Sequence, residues 1–405
     1  MDLTAATLAS PTLAGVALTL IHTGRAPTRS ALTRQLGVTR ATVGAVTGEL
    51  RDLGLIEVDA GAGGGRQGRP SHRLLPSPAG PVALAAQVHP DGFAVALVGL
   101  GGTVVARRAV HGPVSADPAR TFAPAAEAAA ALLGASGRPC VGAAVAVPAA
   151  VTRPGGTAVR ALYTGWPDGT PVRDLFAAEL ERQGVRGARG RALGCEAVND
   201  VNALALGEHR QGAGRDATHL LVVSAEHRGV GGALVRDGAL YAGSGGLAME
   251  AGHVSVDPDG RPCRCGNRGC LNVEADAERL LDEAGGPVAA DRPVLDQAVA
   301  LLRAGYPGDS RVRAAADGCA ARLGLALAGL INVLNPDRVL LGGMYRELLA
   351  LAPARLRGAV ASHSPWGVGA GVPVEGGTLA DGGLIGAAEL AWQPVLDNPA
   401  LLRTA

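Results

Sequence analysis

The chain contains no lysine, so all 37 basic residues among its 405 are arginine. Aromatic residues are almost as scarce at ten, and any core must therefore be assembled from Ala, Val and Leu, which the 47% hydrophobic content permits. Both scarcities read as compositional bias and name no function. A net charge of +1 points to no partner. No basic segment followed by an apolar stretch opens the chain. No apolar run reaches membrane-spanning length without Gly, Pro or a charge. Cysteine is rare too, and Cys140, Cys195 and Cys319 lie scattered, as in a reducing compartment. The expectation is a soluble cytoplasmic protein.

The other three cysteines fall within eight residues. Glu250-Ala-Gly-His253 is followed, nine residues on, by Cys263-Arg-Cys265-Gly-Asn-Arg-Gly-Cys270. Three thiols and an imidazole have the number and softness of a structural tetrahedral zinc site, with His253, Cys263, Cys265 and Cys270 as ligands. The competing reading is a set of unconnected buried thiols, which the tight clustering disfavours. A site with four protein ligands leaves no open position for catalysis, so it should pin a loop.

Length suggests two or three domains. Apolar residues at helical spacing over Thr12–Thr23, a second helix over Thr28–Leu36 and a third running from Thr39 to Leu53 lead into a strand, Leu55–Val58. A Gly-rich loop, Gly61–Gly68, then reaches Ser71–Leu75. This order predicts a winged helix-turn-helix over residues 1–75, where eight Arg stand against five acids; the remainder carries 29 against 31. In that motif the first turn of the third helix would enter the major groove. Thr39, Arg40, Ala41 and Thr42 are the candidate contacts there, Arg29 and Arg34 would meet the backbone, and Arg66 and Arg69 in the wing suit a minor groove. A small helical dimerisation unit is the plainer alternative.

Pro76, Pro78 and Pro81 mark a linker over 76–81. Strands are then expected at Val82–Val88, Phe93–Leu100, Thr103–Val110 and Val141–Val147. A second half repeats the theme: a strand at His219–Val223, a turn at Gly229–Gly232, a strand at Ala233–Val235, a long apolar helix from Cys319 to Leu334, and a strand at Arg338–Leu341. Strands alternating with helices in two similar halves predict a two-lobed α/β body with a ligand cleft between the lobes. We place the lobes at 82–198 and 199–382, with a C-terminal helix near 383–400 returning to the first. Asn199-Asp200 would open a helix, where the pair can hydrogen-bond to vicinal sugar hydroxyls and Asp200 can act as a base. Simple helix capping is the alternative.

Together, Glu250-x-x-His253 with its cysteines, the Asn199-Asp200 helix, Gly229–Gly238, Asn335-Pro336 through Gly343 and Gly382–Ala388 resemble the ROK family of repressors and sugar kinases. The chain is most similar to its xylose-repressor-type regulators, and nearly all of it is covered. The resemblance implies an actin/hexokinase-like sugar-kinase body behind the winged helix, zinc on the four ligands above, and a sugar met by Asn199, Asp200, Glu250 and His253. It also implies a homodimer or homotetramer, a two-fold DNA operator and a small sugar or sugar-phosphate effector. Two departures stand out. Kinases of the family cradle ATP with Asp-x-Gly-Gly-Thr, whereas this chain has Gln87 and then His89-Pro90-Asp91, and Glu226 precedes the second Gly-rich stretch. Proline removes an amide donor and the carboxylates would repel a triphosphate. Kinase activity is therefore expected to be lost, with Asp200 a vestigial base and no catalytic residue in use. The alternative is an ATP-dependent sugar kinase with an accessory DNA-binding domain. Second, Asn272 stands where the family usually places a sugar-contacting Glu, and Glu274 is a candidate substitute.

Overall fold

A computed structural model describes residues 10–59, 72–112, 114–187, 190, 192–286, 288–289, 292–365 and 371–403. Three helices come first: α1 (Leu13–His22), α2 (Arg29–Leu36) and α3 (Arg40–Asp52). Each is started by a threonine whose hydroxyl accepts an otherwise unpaired amide: Thr12 from Gly15, Thr28 from Ala31 and Thr39 from Thr42. Strands β1 (Ile56–Asp59) and β2 (Arg73–Pro76) pair antiparallel, beginning one and two residues later than the sequence pattern suggests. This is the order of elements that a winged helix-turn-helix requires.

The body contains two five-stranded sheets of the same design. The first comprises β3 (Val82–His89), β4 (Gly92–Gly99), β5 (Val104–His111), β6 (Cys140–Val147) and β9 (Cys195–Asn199), in the order β5-β4-β3-β6-β9. Between these strands lie α4 (Pro118–Ser136), the small pair β7 (Ala150–Val151) and β8 (Ala158–Val159), and α5 (Val172–Arg182). Helix α6 (Asp200–Gln211) leads into the second sheet. That sheet holds β10 (His219–Glu226), β11 (Gly229–Arg236), β12 (Ala239–Leu240), β13 (Arg338–Gly343) and β14 (Val374–Gly376), in the order β12-β11-β10-β13-β14. In both sheets an antiparallel meander continues into parallel strands, so the hairpins β3–β4 and β10–β11 occupy equivalent places. This is a mixed α/β sugar-kinase-like fold.

Helices α7 (Leu271–Glu274), α8 (Ala277–Glu283), α9 (Val294–Gly305), α10 (Ser310–Leu334), α11 (Met344–Leu351) and α12 (Pro353–Ser362) cover the second sheet, and α13 (Gly382–Asp397) packs on the first. By length and composition α10 could cross a membrane, but more than half of its apolar stretch is buried within the second lobe. Gly229–Gly232, expected as a turn, lies within β11. The turn is the His227-Arg228 pair, because Glu226 and Gly229 are already in register. Strands β9 and β14 carry little sequence signal: β9 begins with half-buried Cys195 and exposed, charged Glu196, and β14 is only three residues long.

The N-terminal helices share one apolar core with the body. Leu18 and Ile21 of α1 pack in the same cluster as Trp392, Val395 and Leu396 of α13. Thr12 N donates to Asp397 O at 3.0 Å, and Arg403 reaches Glu49 of α3 at 2.8 Å.

Candidate functional site

Asn199, Asp200, Glu250, His253 and Asn272, read separately from the sequence, all line one cavity of about 270 Å³ between the lobes. Asn199 ends β9 and caps α6. Its Oδ1 accepts from Val201 N and Asn202 N, both at 3.0 Å, and its Nδ2 donates to Ala149 O at 3.2 Å. Capping therefore occupies most of this side chain. Asp200 accepts from Val201 N at 2.9 Å and is 8% exposed. Burial pushes its carboxyl up to about 7, with the neighbouring Glu226 and Glu250 carboxylates adding to the effect. A carboxyl poised near neutrality can accept a proton from a bound hydroxyl. Glu250 sits at the cleft mouth. As a residue it is exposed, yet its carboxyl lies deep enough among protein atoms for desolvation to raise it.

Asn272 is 2% exposed, and its amide is committed to protein partners. Oδ1 accepts from Val230 N of β11 at 2.7 Å, and Nδ2 donates to the Tyr163 hydroxyl in a short hydrogen bond. Tyr163 belongs to the first lobe, so Asn272 ties the lobes together across the cleft. Arg264, between two of the cysteines, stacks over the same ring, 5.3 Å from its centroid. Glu274 does not substitute for the missing family Glu. It faces away from the cavity, accepting from Arg261 N at 2.6 Å with Arg279 at 3.7 Å. Tyr163 has no signature in the sequence, since a lone tyrosine in a loop carries no motif.

The ligand atoms of His253, Cys263, Cys265 and Cys270 lie within 4.8 Å of one another. His253 Nδ1 is 3.8 Å from Cys263 Sγ, and Cys265 Sγ is 3.7 Å from Cys270 Sγ. A tetrahedral zinc with Zn–S bonds of about 2.3 Å sets S···S edges of about 3.8 Å, so this donor set fits the ion in number, chemistry and spacing. The loop closes through Cys263 N to Asn267 O at 2.8 Å and Val256 N to Gly269 O at 2.8 Å. Gly269 is obligatory, since its φ is +61° and a Cβ there would lie 1.5 Å from Asp257 O.

A second cavity, of about 350 Å³, lies on the other side of Asp200 and Glu226 and is lined by Gln87, His89, His227, Gly343, Arg346 and Gly383 among others. Here the turns of the two equivalent hairpins meet. Glu226 is half-buried, with its carboxyl desolvated enough to be raised, and it accepts from Ser224 Oγ at 2.6 Å. Each arginine at this cavity already has a carboxylate: Arg107 with Asp381 at 2.9 Å, Arg303 with Glu347 at 2.6 Å, and Arg346 with Glu347 at 3.8 Å. The His89 and His227 rings stack with centroids 4.0 Å apart. Burial pushes His89 down to about 4 and His227 down to about 3, so both are neutral at physiological pH.

Arg34, Thr39, Arg40 and Ala41 are exposed, and Thr42 is half-buried beneath its hydrogen bond with Thr39. Arg29 is half-buried, with its Nε enclosed, and is less available than the sequence suggests. Arg66 and Arg69 lie outside the described residues.

Comparison with known proteins agrees with this geometry. The profile of the ROK family matches residues 90–393. A glucokinase of Thermotoga maritima is 34% identical over 209 residues, covering 47% of this chain and 64% of that protein. The DNA-binding transcriptional dual regulator NagC of Escherichia coli is 32% identical over 158 residues, covering 38% and 39%. The matched stretches thus span less than two thirds of either relative. In fold, the chain superimposes on a ROK family transcriptional regulator described as a homologue of the E. coli MLC protein. The TM-score is 0.74 at 22% identity, covering 96% of this chain and 97% of that one.

Proposed function

The chain belongs to the ROK family, and from that premise we propose that it is a sugar- or metabolite-responsive DNA-binding regulator, a repressor of carbohydrate uptake or catabolism genes acting in the cytoplasm. Relatives include both regulators and glucokinases, so the choice between them rests on the site. The observation that carries it is the state of the two hairpin turns. Where a kinase needs free amides and positive charge around a triphosphate, this chain places stacked His89 and His227 and the Glu226 carboxylate, with Pro90 and Asp91 next in the first turn. The nearby arginines are already paired.

In this reading residues 1–75 contact an operator through Arg34, Thr39, Arg40, Ala41 and Thr42, with Arg29, Arg66 and Arg69 in supporting places, and 76–81 joins them to the lobes 82–198 and 199–382. The effector lies in the 270 Å³ cavity against Asn199, Asp200, Glu250 and His253, with Asn272 shaping its wall. Zinc on His253, Cys263, Cys265 and Cys270 holds the loop that presents Glu250 and Asn272; it serves as a structural crosslink. A homodimer would match a two-fold operator.

The second reading, an ATP-dependent sugar kinase, is favoured by Asp200, whose carboxyl near 7 suits a general base. One pair of assays separates them: operator binding by the full chain and its Arg40→Ala variant, and ADP release from a panel of hexoses with Asp200→Asn as control. The regulator reading predicts specific DNA binding lost in Arg40→Ala and no hexose-dependent ADP release. Hexose-dependent ADP release abolished by Asp200→Asn would overturn it.

A further inference from the structure

His89 ends β3, Asp91 lies in the turn to β4, and His227 sits in the equivalent turn between β10 and β11 of the other lobe. One ligand atom from each of the three falls within 4.8 Å of the others. Two of the polar atoms here are buried without a hydrogen-bond partner, His89 Nδ1 and Asp91 Oδ2. A buried polar atom left unpaired costs on the order of 1–3 kcal/mol, and such exceptions in a folded protein call for a partner. The rest of Asp91 is accounted for. Its Oδ1 lies 3.5 Å from Arg228 Nε, while Arg228 also reaches Glu278 at 3.2 Å. Arg228 therefore neutralises one oxygen and leaves the other buried without a hydrogen-bond partner.

We propose that His89, Asp91 and His227 form a second metal site, for Zn²⁺, which clamps the first-lobe turn to the second-lobe turn across the cleft. Two imidazoles and one carboxylate are donors that zinc accepts, with water completing the tetrahedron. A neutral imidazole offers a lone pair on one ring nitrogen, and His89 Nδ1 has no hydrogen-bond partner in the fold. On binding, each ring turns about its Cβ–Cγ bond, out of the stack, so that a nitrogen rather than a face meets the ion; that torsion is soft for histidine. The clamp lies where a nucleotide's phosphates would enter, so an occupied site also closes that space. The proposal holds whether or not the chain binds DNA or sugar.

Cobalt distinguishes this site from the thiolate one. Full-length protein, stripped of metal and kept reduced, is titrated with Co²⁺ and followed by visible absorption and by bound-metal stoichiometry. The first equivalent should develop thiolate-to-cobalt charge transfer. A second should bind with d–d bands and no added charge transfer. His227→Ala and His89→Ala should retain the first and bind the second at least 100-fold more weakly, since loss of even an outer-shell partner costs about 10–100-fold. If His227→Ala fails to fold, His227→Phe keeps a ring on His89 and decides the matter. A wild-type chain that takes up a single equivalent, or a second equivalent that survives in the folded histidine variants, would overturn the proposal.

Discussion

His22, at the last turn of α1, places its Nε2 2.7 Å from the buried carboxylate of Glu389 on α13, while its Nδ1 accepts from Gly101 N at 2.9 Å. The same carboxylate receives Arg210 at 3.1 Å and Gln211 at 2.9 Å, both from the C-terminal turn of α6. The N-terminus of α6 is Asn199-Asp200, in the ligand cavity. Twelve residues at 1.5 Å each make α6 a rod of about 18 Å joining the cavity to α13, on which α1 packs. It cannot slide independently of α13, because a Cβ at Gly386 would lie 1.6 Å from Ala203 O. A ligand that prefers one cleft shape therefore has a packed, polar route by which to bias α1.

Removing the anchor should both destabilise and uncouple. Glu389→Gln leaves Arg210 without its buried partner, at a cost of about 3 kcal/mol in urea unfolding at neutral pH. Burial alone would push this carboxyl up, but His22, Arg210 and Gln211 hold it down to about 2. A depressed carboxyl contributes fully above its ordinary value near 4.5 and loses that contribution as pH falls towards 2. The gap between wild type and Glu389→Gln should be constant above pH 5 and narrow below 4.5. A gap that widens on acidification would contradict this.

Asp200 has the opposite sign. Its folded value near 7 lies above the ordinary 3.8, so the folded state binds the extra proton. Stability should then fall as pH rises from about 4 to 7, and the loss should be complete above that. Asp200→Asn removes the buried charge and can keep the hydrogen bond from Val201 N. Thermal melts should show the variant several degrees more stable than wild type at pH 8 and equal at pH 4. Lower stability at pH 8 would contradict the assignment.

Cys265→Ser should weaken zinc retention at the thiolate site by 100-fold or more and speed protease cleavage between residues 254 and 270. The expected functional split is a weakened ligand response with operator affinity changed by less than about twofold. Equal loss of both would mean that the loop supports the whole fold rather than the cavity.

Asn272→Ala strands Val230 N and the Tyr163 hydroxyl together, which should cost about 2–3 kcal/mol. Tyr163→Phe removes one bond and should cost about 1 kcal/mol. If denaturant unfolding shows the two variants equal, the Val230 contact contributes nothing and Asn272 is a cavity residue alone.

Much of this was legible from residue types. Thr39 as a helix cap, the first hairpin and the clustered metal-ligand residues are local patterns that the fold reproduces, whereas the second hairpin turns at His227-Arg228 instead of Gly229–Gly232. The residues that line the 270 Å³ cavity are legible because Asn199-Asp200 and Glu250-x-x-His253 are short motifs. What escaped depends on contacts between distant segments. Glu389 is a lone carboxylate on an apolar helix, and its meaning lies in His22, 367 residues away. In sequence Asn272 reads as a shortened sugar contact, whereas in the fold its amide pairs with Tyr163 across the cleft, and Glu274, the expected substitute, is held by Arg261 N. His89, the last residue of β3, and His227, in the β10–β11 turn, lie 138 positions apart, and only the pairing of two similar hairpins brings their rings together.

The most direct test of the central claim is selection of genomic fragments by the purified, zinc-loaded full-length protein at near-physiological salt, where weak non-specific binding is suppressed. The account predicts enrichment of a two-fold symmetric site beside carbohydrate uptake or catabolism genes, with enrichment lost in Arg40→Ala. A folded, zinc-loaded chain that enriches no site, with or without a panel of sugars and sugar phosphates, would contradict it.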